Sequence, residues 1–110
     1  RNSSGLALSS RNQHLSNMGI HQASFIYKSL NAAKDEFIKT NNIIDAVKVG
    51  TDILFENNID LDYFEILDHK TFSPPKNTTK NFIIIVAAYV EGIRLIDNIQ
   101  FEVGATKWKI

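Results

Sequence analysis

The sequence predicts an α+β domain in which two amphipathic helices pack on a small antiparallel sheet of about three strands. Apolar residues recur every three or four positions through roughly the first half of the chain, as they do on one face of a helix. A run of β-branched and other apolar residues follows at 82–90, and a short turn signal comes directly after it. A chain of 110 residues has the size of one domain, so these elements are expected to share one core.

The first helix is predicted to begin after Ser16 and to end near Thr40. Ser16 is the expected N-cap, because its hydroxyl can accept a hydrogen bond from a backbone N–H of the first turn. The apolar stripe of this helix comprises Ala23, Ile26, Leu30, Ala33 and Phe37. Asn41 and Asn42 then interrupt the helix.

The second helix follows at once, with Asn42 as its expected N-cap. Its stripe is predicted to consist of Ile44, Val47, Thr51 and Leu54. Asn57 and Asn58 are expected to end it, because asparagine tolerates the left-handed conformation that many helix C-termini adopt.

The second half of the chain predicts strands. Residues 61–67 mix aromatic and aliphatic side chains with acidic ones and are expected to form the first strand. Residues 72–81 contain both prolines and indicate a loop. Residues 82–90 are apolar on both faces, so they are expected to form the central strand, covered by the helices on at least one side.

A hairpin is expected after the central strand. Glu91 and Gly92 supply a two-residue turn, and residues 93–96 begin the returning strand. Asp97 and Asn98 are interpreted as residues that shape the exit of this strand through bonds to nearby backbone. The tail from Gly104 shows no clear period and is left unassigned.

Charge and composition limit the classes of function. Twelve basic and twelve acidic residues cancel, so the chain lacks the basic field expected of a nucleic-acid binder or of a protein bound to an anionic membrane. The longest apolar run is shorter than the roughly 20 residues that a transmembrane helix needs. The chain contains no cysteine, which fits a reducing compartment, and we expect a cytoplasmic protein. Its first residue is Arg1, which suggests a piece of a longer protein.

One short stretch combines the groups that bind phosphate. Ser9, Ser10, Arg11 and Asn12 follow a glycine at position 5. Hydroxyls and backbone N–H groups donate to phosphate oxygens, and one guanidinium can hold two of those oxygens. The same composition also describes an ordinary solvated loop that ends in a helix cap, and spacing alone does not separate the two interpretations.

Other polar residues favour structural roles. The histidines, His14, His21 and His69, lack metal-ligand spacing. Arg94 with Asp97 and Asn98 could form a polar catalytic cluster, although the strand-exit interpretation is favoured. The acidic residues of the first strand are expected on its solvated edge or face, and they are Asp60, Asp62, Glu65 and Asp68.

Four ordered motifs resemble those of the pantoate–β-alanine ligases. The stretch GLALSSRN, followed by Leu15 and Ser16, resembles the family signature D-G-L-A-x-S-S-R-N-x-Y-L. Residues 62–65 are similar to its D-Y-x-E strand, residues 86–88 to its V-A-A strand, and residues 94–98 to its R-L-I-D-N segment. The resemblance covers nearly the whole chain up to about residue 103.

The resemblance implies that residues 1–103 are the carboxy-terminal lid domain of a two-domain enzyme, with 104–110 as a tail. It also implies a separate amino-terminal Rossmann-like domain, without which this chain is expected to be inactive. By the same resemblance, residues 8–11 are expected to belong to a loop that binds the phosphates of ATP. Ser9 and Ser10 would then bind phosphate oxygens, Arg11 would be the catalytic cation, and the backbone at Leu8 would lie against the adenine or ribose.

The implied ligands are ATP, pantoate and β-alanine, with Mg²⁺ held by the amino-terminal domain. The parent enzyme is expected to be a homodimer and this chain alone a monomer. An alternative remains open, in which the chain is a non-catalytic module whose helices and apolar strand dock onto a partner.

Overall fold

The structure, a computed structural model, describes residues 15–103. Its elements in chain order are α1 (Asn17–Thr40), α2 (Ile43–Glu56), β1 (Asp60–Asp68), β2 (Asn81–Val90) and β3 (Ile93–Glu102). The strands form one antiparallel sheet in the order β1-β2-β3, with β2 in the centre. The predicted α+β class, with two helices and three strands, is confirmed.

The predicted ends of α1 are confirmed by its caps. The Ser16 hydroxyl accepts a hydrogen bond from the Gly19 N–H at 3.0 Å. At the other end Asn41 adopts the left-handed conformation with φ 58°, and its N–H donates to the Phe37 carbonyl at 2.7 Å. The predicted stripe lies in the core, since all its members are 2% exposed or less.

The second helix begins as predicted, but its buried face is different. The Asn42 side chain accepts from the Asp45 N–H at 3.0 Å, and Asn58 has φ 58° just beyond the helix. Ile44, predicted to lie on the buried stripe, is 79% exposed. Leu54 is buried as predicted and Val47 packs against the core, but the other buried residues of α2 are Ala46 and Gly50. The prediction was wrong because it weighted large apolar residues and ignored the small ones that let α2 approach the sheet.

The β2–β3 hairpin has the predicted turn, but its second strand is longer than expected. Glu91 and Gly92 have φ of 53° and 76°, the sign that a two-residue type I′ turn requires at both positions. The prediction that Asp97 and Asn98 form a strand exit is wrong, because β3 continues to Glu102 and pairs with β2 throughout. The expected local bond is present, since the Asn98 N–H donates to Asp97 Oδ1 at 2.8 Å.

The core lies between the helices and one face of the sheet. Alternate residues of β2 face it, and they are Phe82, Ile84, Val86, Ala88 and Val90. An aromatic cluster closes one end, where the ring centroids of Phe37 and Phe82 lie 5.0 Å apart and those of Phe82 and Phe101 lie 5.4 Å apart. On the opposite face of the sheet Ile96 is 61% exposed and Tyr89 38%. Neither α1 nor α2 is long and apolar enough to cross a bilayer.

Candidate functional site

The predicted phosphate-binding residues lie just before the part of the chain that the structure describes. Leu8, Ser9, Ser10 and Arg11 all fall outside it. The structure therefore defines the anchor of this loop rather than the loop itself. That anchor starts at Leu15, whose side chain is 8% exposed and belongs to the hydrophobic core.

Ser16 is held by Glu91 from the turn between β2 and β3. The Ser16 N–H donates to Glu91 Oε1 at 2.8 Å, and the Ser16 hydroxyl donates to Glu91 Oε2. We call this contact the Glu91–Ser16 clamp. The two hydrogen bonds, first that from the hydroxyl and then that from the backbone, lower the pKa of Glu91. The carboxylate is therefore charged at neutral pH and lies at the positive end of the α1 dipole.

The clamp needs a glycine one turn into α1. A Cβ atom at Gly19 would overlap the Glu91 carboxylate, so glycine leaves room for that carboxylate beside the helix. The Gly19 N–H also donates to the Ser16 hydroxyl, which links the helix cap to the clamp. Sequence reasoning missed Glu91 as a functional candidate, because it lies 75 positions from Ser16 and no local pattern connects them.

An open groove of about 640 Å³ runs beside the clamp. It lies among the first turns of α1, the end of α2 and the hairpin turn, and its lining includes Met18, His21, Phe25, Asn58 and Glu91. Gln22 also lines the groove, and its side-chain amide donates to the carbonyls of Asn57 and Asn58 at 2.7 and 2.9 Å. No lysine or arginine is among the described residues that line this groove.

Two of the motif segments meet on the sheet. Arg94 on β3 bonds to Asp62 on β1, with Nε and a terminal nitrogen each 3.0 Å from Asp62 Oδ2. This contact raises the pKa of Arg94. Arg94 and Asp97 are three positions apart on one strand, so they point to opposite faces of the sheet. The strand geometry thus separates the Arg94–Asp97 pair that the sequence suggested as a polar cluster.

Within residues 15–103, no three His, Asp or Glu side chains come together as a metal site would require. His21 packs edge-on against Phe25, with ring centroids 5.6 Å apart, and His69 lies 6.2 Å from Phe72. His21 is exposed and His69 is half-buried, and each ring has an aromatic neighbour. His14 lies outside the described residues.

Comparison with known proteins decides the family. The model of the family described as pantoate-beta-alanine ligase matches residues 1–100. The chain belongs to the pantoate–beta-alanine ligase family. The match includes the predicted loop, the clamp residues Ser16 and Glu91, and the paired residues Asp62 and Arg94.

Curated relatives and solved structures of the pantoate–beta-alanine ligase family agree with this assignment. The chain is 36% identical to the pantothenate synthetase of Clostridioides difficile (strain 630) over 106 residues, which cover 94% of this chain and 38% of that protein. It is 38% identical to the pantothenate synthetase of Buchnera aphidicola subsp. Schizaphis graminum over 97 residues, covering 86% and 34%. A crystal structure of pantothenate synthetase from Thermus thermophilus superposes with a TM-score of 0.79 at 32% identity, covering 90% of this chain and 36% of that one. The chain spans less than two fifths of the length of these relatives.

Proposed function

We propose that residues 1–103 are the lid domain of a two-domain ligase that condenses pantoate with β-alanine, and that 104–110 form a tail. The observation that carries the proposal is the family match through residue 100, on a chain that spans only 38% of a relative named pantothenate synthetase. The remainder of such an enzyme supplies the amino-terminal Rossmann-like domain. On this proposal the isolated chain is inactive.

The proposed reaction has two steps. A carboxylate oxygen of pantoate attacks the α-phosphorus of ATP and pyrophosphate leaves, which gives a pantoyl adenylate. The amine of β-alanine then attacks the acyl carbon and loses a proton, and AMP leaves with the electron pair of the broken C–O bond. Adenylation is needed because a free carboxylate is a poor electrophile, whereas AMP is a good leaving group.

In this proposal the loop before α1 binds the phosphates. Arg11 places its guanidinium against the oxygens that gain negative charge as pyrophosphate departs, where a fixed cation lowers the barrier most. Ser9 and Ser10 donate hydrogen bonds to phosphate oxygens, and the backbone at Leu8 lies against the adenine or ribose. Closure of the lid would bring these groups to ATP and exclude water.

Magnesium is expected to accompany ATP. We assign its protein ligands to the amino-terminal domain, as the resemblance to the family implies.

The experiment uses the full-length protein and measures pantoate-dependent exchange of labelled pyrophosphate into ATP without β-alanine. Exchange under these conditions reports reversible formation of the adenylate. Addition of β-alanine should then convert pantoate to pantothenate with one AMP released per product. Failure of exchange in a folded, ATP-binding protein would contradict the proposed mechanism.

A non-catalytic docking module is the second candidate. The exposed side chains of Ile96 and Tyr89, on the sheet face opposite the core, favour it, because exposed apolar groups there can pack on a partner. This candidate predicts that Ile96→Asp disrupts assembly while Arg11→Ala has no chemical consequence. Pantoate-dependent exchange that requires Arg11 would exclude it.

A further inference from the structure

We infer that Glu91 is a positioning residue of the proposed ligase, because it fixes the point at which the phosphate-binding loop joins the lid domain. The inference rests on the proposed function of that loop. Glu91 touches neither phosphate nor pantoate in this account. It acts through Ser16, whose backbone and side chain it holds with both carboxylate oxygens.

The clamp secures the segment before α1 rather than the helix itself. The helix is already capped, since the Ser16 hydroxyl accepts from the Gly19 N–H and the Ser16 carbonyl accepts from the Ile20 N–H at 2.9 Å. Glu91 adds a bond to the Ser16 N–H, which precedes the first helical turn. This bond constrains the direction in which the chain enters from the loop.

The backbone of Glu91 supports a specific role for its side chain. Glu91 has φ 53° in the turn, a conformation that glycine or asparagine adopts at lower cost than glutamate does. A residue that breaks this local preference is expected to make a compensating contact. In this structure that contact is the clamp to Ser16, and the room left at Gly19 accommodates it.

The loop is close enough to the clamp for its anchoring to matter. Arg11 lies five residues before Ser16, so the chain between them spans at most about 18 Å. Leu15 is buried in the core, so only residues 12–14 separate Arg11 from the buried part of the chain. A displacement of about 1 Å at a reacting centre can cost on the order of 100-fold in rate. Loss of the clamp should therefore slow adenylate formation in protein that is still folded.

The test measures saturating pantoate-dependent pyrophosphate exchange in full-length variants, together with melting temperature. Glu91→Ala should lower the rate about 10- to 100-fold per folded molecule. Glu91→Gln should stay within about threefold of wild type, because its amide can still accept from the Ser16 N–H and donate to the Ser16 hydroxyl. Glu102→Ala removes another exposed carboxylate, at the far end of β3, and should leave the rate unchanged.

The Gly19→Ala variant distinguishes an effect of Glu91 on the position of the loop from an effect on the stability of the fold. The added Cβ displaces the Glu91 carboxylate from beside the helix but keeps the residue itself. Alanine is also the better helix former, so the melting temperature should change little. The exchange rate should nevertheless fall as it does in Glu91→Ala.

Rates for Glu91→Ala and Gly19→Ala equal to that of Glu102→Ala would overturn the inference, as would a Glu91→Gln variant as slow as Glu91→Ala. Wild-type protein without exchange would instead refute the proposed function. Exchange that needs Arg11 but tolerates loss of Glu91 would refute the positioning role alone.

Discussion

At the scale of single residues, Asp68 shows how one side chain organises a loop. Its Oδ1 accepts from the Lys70 and Thr71 N–H groups at 2.8 and 3.3 Å, and its Oδ2 accepts from the Thr79 hydroxyl at 2.8 Å. Thr79 is itself 5% exposed and donates its N–H to the Lys76 carbonyl. The loop between β1 and β2 is therefore tied to the end of β1 at both of its ends.

These bonds predict a pH dependence of stability. The Thr79 hydroxyl and then the Lys70 N–H lower the pKa of Asp68, so the folded state binds this proton less tightly than the unfolded state. The stabilisation is therefore fully present above the pKa of an unfolded aspartate, about 3.9. It is lost as the pH falls through the lower pKa that Asp68 has in the folded protein. Asp68→Asn should melt below wild type at pH 7, with a gap that narrows as the pH drops below about 4. Thermal melts from neutral to strongly acidic pH test this.

Asp60→Asn is the matched control, since Asp60 is exposed at the first position of β1. Its melting difference from wild type should vary less with pH than that of Asp68→Asn. An Asp68→Asn deficit that is constant across the range would contradict the assigned role.

At the scale of elements, the packing of α2 on β1 depends on Gly50. A Cβ at this position would overlap the ring of Phe64, which is 7% exposed and inside the core. Gly50 therefore sets how closely the helix approaches the strand.

Gly50→Ala should destabilise the chain by about 1–3 kcal/mol through overpacking. This outcome opposes helix propensity, which alone favours alanine by about 1 kcal/mol. Urea unfolding measures the change, and a Phe64→Leu background should recover part of the loss. A more stable Gly50→Ala protein would show that the ring moves without cost.

Removing a ring from the aromatic cluster should destabilise the chain more than Gly50→Ala does. Phe37 is 2% exposed, and its ring centroid lies 5.0 Å from that of Phe82 and 6.2 Å from that of Phe101. Phe37→Ala should cost about 3–5 kcal/mol. The neighbouring Ile38 is 41% exposed on the same helix, and Ile38→Ala should cost only about 0.5 kcal/mol by the same urea measurement. Similar losses for the two variants would contradict the assigned core.

The elements also show what sequence can predict. The caps at Ser16 and Asn42 and the turn at Glu91 were predicted because their signals are local. The buried face of α2 was predicted only in part: Leu54 was predicted, but Ala46 and Gly50 were not, because small residues carry little hydrophobic signal although they allow close packing. The full length of β3 was missed because the polar residues at 97 and 98 are typical of the end of a strand. Only the pairing with β2 shows that the strand continues through them. The clamp was missed because it joins residues 75 positions apart.

At the scale of the whole molecule, the sequence motifs were enough to predict the family. The contact of Glu91 with Ser16, which anchors the loop, was visible only in the folded structure. The four motif segments lie on different parts of the chain, and the sheet joins two of them through the contact of Asp62 with Arg94. The chain covers 36% of the length of the Thermus thermophilus structure, so most of the proposed enzyme lies in another domain.

Two further results are expected of the 110-residue chain alone. It should support no pyrophosphate exchange, because the proposed pantoate and magnesium sites belong to the other domain. It should also sediment as a monomer in analytical ultracentrifugation. A tight dimer would contradict this expectation.

In the proposed mechanism Arg11 on the lid stabilises the charge that develops on the phosphates. Pantoate-dependent pyrophosphate exchange by full-length Arg11→Ala tests it most directly, with Lys39→Ala as the control. Lys39 is in the last turn of the 24-residue α1, about 35 Å from Ser16 along the helix, so its loss removes the same charge far from the residue that anchors the loop. The barrier should be higher by about 2.7–4 kcal/mol in Arg11→Ala, with melting temperature unchanged and Lys39→Ala as active as wild type. Full exchange in Arg11→Ala would contradict it and would leave the loop as a linker and helix cap.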